Sequence, residues 1–294
     1  EFKIKYKKRG KIFIAINKHD ISRLDKIKHQ GEQNGLNDLQ FLNKNQIKKI
    51  EPNIRAEAGL LSPSSGVLDS YGLMQTIMNL CKDKGLNYSS YAEVNGAEPS
   101  KDGWLTSVHE KKNNINYKIH SNVVINAAGL NSINLSKKIF SDRKFPILKP
   151  TKGAYLKYSG KSPFKHIIYK AILPGKIEER IDATPNVFDE LSFGPSVEKT
   201  NGIDDFVINN KLIKKFYINI KEYFPDIKID KLKLDQAGIR PKIIEDNKEV
   251  SDFIFDWAPN SGWLDLWGIE SPGLTACFAI SEHVYQMLHK KNVV

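Results

Sequence analysis

Cysteine is nearly absent from this chain: Cys81 and Cys277 are the two among 294 residues. Two are too few for a disulfide framework or a zinc ribbon, and a reducing compartment is the default expectation. Long apolar runs are also missing. The longest candidates, such as residues 123–130, are strand-sized, far short of the roughly 20 residues of a transmembrane helix. No charged-then-apolar leader follows Glu1, so the start reads as a cut end without a secretory signal. The seven histidines include none at metal-ligand spacing, and neither G-x-S-x-G nor a Walker loop occurs, so no metal is expected. The 19 glycines contain no G-x-G pair, although a dinucleotide fold ordinarily carries G-x-G-x-x-G in its first βα turn.

What is present is a globular composition, 40% hydrophobic and 27% charged. The net charge of +11 would suit a nucleic acid or an anionic surface. The lysines are spread along the whole chain, however, and no binding motif or interleaved aromatics accompany them, so no nucleic-acid partner is expected.

The pattern alternates helices and strands. Residues 11–16 read as a strand, and residues 20–34 and 45–50 as helical. A helix from Ser70 ends at Gly85. Residues 88–94 read as a strand, 104–109 and 115–120 as a hairpin, 122–127 as a buried parallel strand and 131–140 as a helix. Beyond them, 154–158, 166–172 and 191–193 are strand-like, 212–224 helical, 231–239 and 263–267 strands, and 274–288 a helix. The extended middle predicts a second, mostly antiparallel sheet.

Three segments could carry chemistry. In WGIESPGLT, residues 267–275, Ser271 is placed to cap a helix, Pro272 to begin it, and Gly268 and Gly273 to clear side chains. Free backbone N–H groups and a dipole end there would favour an anion; the bland alternative is a plain strand-to-helix turn. In GIRPK, Arg240 closes a strand, where its guanidinium could hold a carboxylate bidentately or be tied to a structural partner. In NAAG, residues 126–129, small residues permit close approach of a ligand or tight helix–strand packing. Asp69, Tyr155, Tyr169 and Thr184 cannot be ranked on physics alone, and Cys277 reads as core.

These segments, with residues 10–15, 51–52, 62–69, 152–156 and 193–195, resemble in collinear order the FAD-dependent oxidoreductases of the glycine/D-amino-acid oxidase superfamily, and within it the L-2-hydroxyglutarate dehydrogenase branch. The resemblance implies an α/β fold with α+β character: a Rossmann-like FAD-binding half lacking its first βαβ unit, and a mostly antiparallel-sheet substrate domain. It implies FAD as cofactor and hydride transfer from a small 2-hydroxy acid. An amine oxidase of the glycine or sarcosine type and a truncated, non-catalytic remnant are the alternatives. Residues 69–149 and 251–294 are expected in the flavin half, 1–68 and 150–250 in the substrate domain.

By the same resemblance Arg240, Tyr155 and Thr184 form the catalytic set. Val94, Ala128, Gly129, Gly238, Gly268, Ser271, Gly273, Leu274 and Thr275 contact the cofactor. The partners implied are a small carboxylate and an electron acceptor, whether quinone, electron carrier or oxygen. The location implied is cytoplasmic, with the inner-membrane periphery as a variant. Where relatives carry His-x-Thr, this chain has Asp182-Ala183-Thr184, and a carboxylate there is expected to repel a dicarboxylate substrate.

Overall fold

The computed structural model describes residues 2–172, 180–200, 202–258 and 262–291. The chain forms two compact units: residues 1–86, 152–198 and 206–238 make the first, and residues 87–151, 199–205 and 239–294 the second. The breaks differ from those expected at 68/69 and 250/251. The helix Ser70–Asp83 goes with the first unit because Val67–Leu68 pairs with Tyr6–Lys7 and the Asp69 N–H donates to the Lys5 carbonyl at 2.8 Å. Residues 243–245 go with the second because they pair with Ile147–Leu148.

The first unit is built on one large sheet. Lys11–Ala15 runs parallel to Ile167–Lys170 and antiparallel to Ala58–Ser62, which pairs with Gln40–Asn43. On the other side follow Asp182–Pro185, Leu191–Gly194 and Thr151–Tyr158. Successive residues of a strand point to opposite faces, so the register sorts the side chains. Ile12, Ile14, Leu156, Ile168, Ala183 and Phe193 share one face, each at most 1% exposed. The helix Lys211–Lys221 lays Leu212, Phe216 and Ile220, four and eight residues apart on one stripe, against that apolar face. Tyr223 completes the layer, and its hydroxyl donates to the Ile181 carbonyl at 3.0 Å. Glu51, from the Glu51-Pro52 segment, is a buried latch. Its carboxylate accepts the backbone N–H groups of Lys165 and His166, each at 2.7 Å.

The opposite face carries Lys11, Phe13, Tyr169, Asp182 and Thr184. The helix Ile21–Gln33 covers the part near Ala15 and Leu60 through Leu24.

In the second unit Trp263–Trp267 lies between Val124–Asn126, parallel to it, and Ile254–Trp257, antiparallel. The parallel pairing agrees with the expectation for residues 122–127. A three-stranded meander, Ala92–Ser100, Gly103–Glu110 and Ile115–Ser121, contains the expected hairpin. The strand expected at 88–94 begins only at Ala92 and continues to Ser100, because its partners in the meander extend that far. Trp104, Phe140 and Trp263 meet edge to face at centroid distances of 5.1–5.8 Å. The last helix is Cys277–Lys290, so Ser271 is not its cap and Pro272 does not begin it. Residues 271–276 form consecutive turns instead, with Ala276 N–H bonded to the Pro272 carbonyl and Cys277 N–H to that of Leu274. Gly273 and β-branched Thr275 are poor helix formers, which delays the regular helix.

Phe216 is fully buried under the sheet. Replacing it with alanine is expected to cost about 3–5 kcal/mol, read from the midpoint of denaturant unfolding.

Candidate active site

In the second unit the GIRPK and WGIESPGLT segments come together. Pro241, Lys242, Ile243, Gly268, Glu270 and Pro272 line one cleft. Gly268 has φ +69°, and a Cβ there would lie 3.0 Å from Ile243 Cγ1, so both the backbone angle and the close approach call for glycine. The Lys242 ammonium bridges Glu270 at 2.6 Å and Glu249 at 3.0 Å. Burial acts to lower its pKa, but the hydrogen bonds to the two carboxylates outweigh that and raise it. Lys242 thereby fastens the 268–272 loop to the strand region that Arg240 ends. Arg240 is half-buried, and its carbonyl accepts from the Lys242 N–H at 3.0 Å. Gly238, just before it, is exposed with open space where a Cβ would stand.

Ser271, Leu274 and Thr275 are exposed on the same loop, whereas Gly273 is buried. A Cβ on Gly273 would meet Ile269 Cγ2 at 2.5 Å and the Glu270 carbonyl at 2.7 Å. The glycine is therefore needed by the fold of the loop itself, whatever approaches from outside. Ala128 and Gly129 are also exposed. Gly129 has φ +57°, and nothing lies within 4 Å of where its Cβ would stand. Asn126, by contrast, is 3% exposed and structural. Its amide donates to Asp265 Oδ1 at 2.7 Å, to Ser136 Oγ at 3.0 Å and to the Ser132 carbonyl at 2.8 Å. Val94 belongs to another sheet of this unit, 38% exposed, where the strand bulges before Gly96.

In the first unit the register places Tyr155, Tyr169, Asp182 and Thr184 on the face left uncovered by the helix Lys211–Lys221. Gly194 lies between Tyr155 and Asp182. A Cβ there would come within 2.8 Å of the Tyr155 ring, so glycine permits the tyrosine to lie flat against the sheet. Asp182 is 2% exposed. Its carboxylate receives Arg180 Nε at 2.8 Å, while its other oxygen, buried, has no partner among the described residues. Burial pushes its pKa up to about 7, with Arg180 and Lys11 opposing. Tyr169 is raised as well, by burial first and by Asp182 second. Against the expected repulsion of a dicarboxylate stand the burial that disfavours the charged form of Asp182 and the Arg180 guanidinium paired with it.

Sequence reasoning did not single out Lys11 or Arg180. Lys11 lies far in sequence from Asp182, and only the strand pairing reveals their neighbourhood; Arg180, two residues before Asp182, belongs to none of the motifs. Asp69, left unranked, accepts the Gly72 N–H at 3.0 Å and caps the helix Ser70–Asp83. Among the described residues no group of histidine, cysteine, aspartate or glutamate could hold a metal, and no helix is long and apolar enough to cross a membrane.

Exposed peptide edges at Ala128–Gly129 and Leu274–Thr275, with glycines at the turns, fit an extended flavin nucleotide, which needs backbone approach more than side-chain ligands. The chain belongs to the FAD dependent oxidoreductase family, DAO, which it matches over residues 1–287. FAD is its cofactor.

Among curated relatives, the mitochondrial L-2-hydroxyglutarate dehydrogenase of Arabidopsis thaliana is 30% identical over 97% of this chain and 67% of its own length. The glycerol 3-phosphate dehydrogenase of Caloramator mitchellensis is 26% identical over the whole chain and 58% of its own. The chain therefore spans about three fifths to two thirds of these relatives. Among solved structures, the L-alpha-glycerophosphate oxidase of Mycoplasma pneumoniae with FAD bound superposes with TM-score 0.82 at 22% identity, covering 97% of this chain and 74% of that one. The glycine oxidase of Bacillus cereus gives 0.73 at 18%, covering 92% and 70%. These two share the fold.

A carboxyl whose folded pKa is about 7 against an ordinary 3.8 stabilises the fold fully below pH 3.8, and that contribution is lost as pH rises through 7. Asn at position 182 does not titrate. The melting temperature of Asp182→Asn should therefore rise relative to the parent between pH 5 and 8. Parallel pH profiles would show that Asp182 titrates normally.

Proposed function

We propose that the protein oxidises a small 2-hydroxy acid to the 2-oxo acid. The observation that carries this reading is the 30% identity to an L-2-hydroxyglutarate dehydrogenase over 97% of the chain. The polar face bearing Tyr155, Asp182 and Thr184 supports it.

Arg240 binds the substrate carboxylate through its two-donor fork and so orients the α-carbon. Thr184 and Tyr155 offer hydroxyl groups on the polar face of the first unit. Asp182, whose pKa burial raises to about 7, accepts the hydroxyl proton in its ionised form as the α-hydrogen leaves with its electron pair. Bound FAD supplies the acceptor for that hydride. Val94, Ala128, Gly129, Gly238, Gly268, Ser271, Gly273, Leu274 and Thr275 shape its channel. Their part is to present backbone and exclude water rather than to react.

The test is anaerobic reduction of the full-length, FAD-loaded protein, followed at the flavin absorbance band. Bleaching by 2-hydroxyglutarate or a close homologue is expected. Bleaching by amino acids alone, or by neither class, overturns the reading. In the same assay Arg240→Lys should raise KM for the hydroxy acid by roughly 10-fold or more, because lysine lacks the planar fork. An unchanged KM would remove Arg240 from the site.

A further inference from the structure

Two segments that the proposed chemistry needs are joined at one corner of the second unit. The strand Leu232–Arg240 ends there, and Pro241, with its preset backbone angle, turns the chain so that the Lys242 N–H donates to the Arg240 carbonyl at 3.0 Å. The Lys242 carbonyl accepts the Lys149 N–H at 2.8 Å, and Ile243–Glu245 then pairs with Ile147–Leu148. Backbone bonds fix this corner, so the Lys242 side chain is not what holds it.

That side chain reaches instead to the loop of residues 268–275, which meets the corner at two points. At Gly268 the contact is steric, since the place of a Cβ lies 3.0 Å from Ile243 Cγ1. At Glu270 it is ionic: the carboxylate accepts the Lys242 ammonium at 2.6 Å, and the two side chains are only 20% and 26% exposed. One contact would let the loop pivot; two fix its direction. Glu270 passes that direction on, because its carbonyl accepts the Gly273 N–H at 2.5 Å and opens the turns that carry Gly273, Leu274 and Thr275. Glu249 takes a second donor of the ammonium at 3.0 Å, but it is 55% exposed, and a pair so open to water contributes little. With two of its donors committed inside the protein, Lys242 serves the fold of the site rather than a ligand.

We propose that Lys242 is a positioning residue: through Glu270 it sets the 268–275 loop against the strand that Arg240 ends, and so aligns the flavin with the α-carbon of the substrate. This rests on the preceding reading, which puts the flavin against that loop and the substrate carboxylate on Arg240. Without the ammonium, Glu270 is a partly buried carboxylate lacking its partner, and the loop must shift to hydrate it. An offset of about 1 Å at the reacting atoms can cost roughly 100-fold in rate. Arg240 keeps its place, because the corner is held by its backbone. The signature is a fall in kcat with KM for the acid retained, the reverse of what Arg240→Lys gives.

The test compares full-length, FAD-loaded parent with Lys242→Met, Lys242→Arg, Glu270→Gln and Glu249→Gln. Lys242→Met and Glu270→Gln should each lower kcat for the hydroxy acid roughly 10- to 100-fold, with KM within about 3-fold of the parent. Titration of the apoprotein with FAD, followed by flavin fluorescence, should show Kd raised roughly 10-fold in both. Lys242→Arg, which keeps the charge, should bring kcat and Kd back towards the parent, and Glu249→Gln should leave both near it. Glu270→Gln keeps the side-chain volume and decides the matter should Lys242→Met fail to fold. Parent-like kcat and Kd in both variants, even with a lower melting temperature, would make the pair a structural tie and overturn the proposal. A raised KM at unchanged kcat also overturns it, since that places the ammonium on the substrate carboxylate. If no hydroxy acid reduces the flavin of the parent, the functional reading fails, and the FAD Kd of parent and variants still decides the role of Lys242.

Discussion

The strict alternation of side chains along the strands of the large sheet is the constraint on which the candidate site depends. Because Ile12, Ile14, Ile168, Ala183 and Phe193 must face the helix Lys211–Lys221, the residues between them have no choice of side. Lys11, Tyr169, Asp182 and Thr184 are turned to the other face by the same register that builds the core. A one-residue slip in any of these strands would bury Lys11 or Asp182 among isoleucines, at a cost of several kcal/mol. The core therefore specifies the polar face as firmly as it specifies itself.

A different device holds the second unit. Asp265 is fully buried on the central strand, where an isolated carboxylate would be prohibitively expensive. It is instead surrounded by donors: the Asn126 amide at 2.7 Å, Trp263 Nε1 at 3.0 Å, Ser136 Oγ at 2.5 Å and Arg143 at 2.7 Å. The network ties the parallel strand Val124–Asn126, the helix Ser132–Ile139 and the central strand into one body. Asn126 thus belongs to the scaffold, and only its successors Ala128 and Gly129 are left exposed at the strand end. The motif that reads as four residues of one kind divides into a structural half and an open half. The charge at Asp265 explains the division.

Much of this was legible in the sequence wherever local pattern and long-range pairing agree. The parallel strand at residues 122–127, the hairpin at 104–120 and the helix from Ser70 carry their own periodicity and breakers. Ala58–Ser62 and Gln40–Asn43 do not: AGLLS gains strand character from pairing with Lys11–Ala15, and QFLN from pairing with AGLLS in turn. The last helix misled for a related reason. Ser-Pro-Gly has the chemistry of a helix start, but the 271–276 turns precede the regular helix at Cys277. Arg240 and the glycines stood out because a strand end and a turn are local events. Lys11, Tyr169 and Asp182 did not form a group on paper, since their proximity is created by three strands meeting across about 170 residues of chain.

That separation bears on how Asp182 is accommodated. A carboxylate introduced alone on this face would either repel an acidic substrate or lose its charge to burial. With Arg180 two residues before it, and Lys11 one strand beyond Tyr169, the aspartate has both a partner and a positive surround. Burial then holds it near its titration point rather than far above it. Removing the arginine would push the carboxyl further towards the neutral form, and removing the aspartate would leave two cations facing each other. The three groups are coupled, so none can be assigned a role without the others. A substitution at any one of them acts on the charge of the whole face.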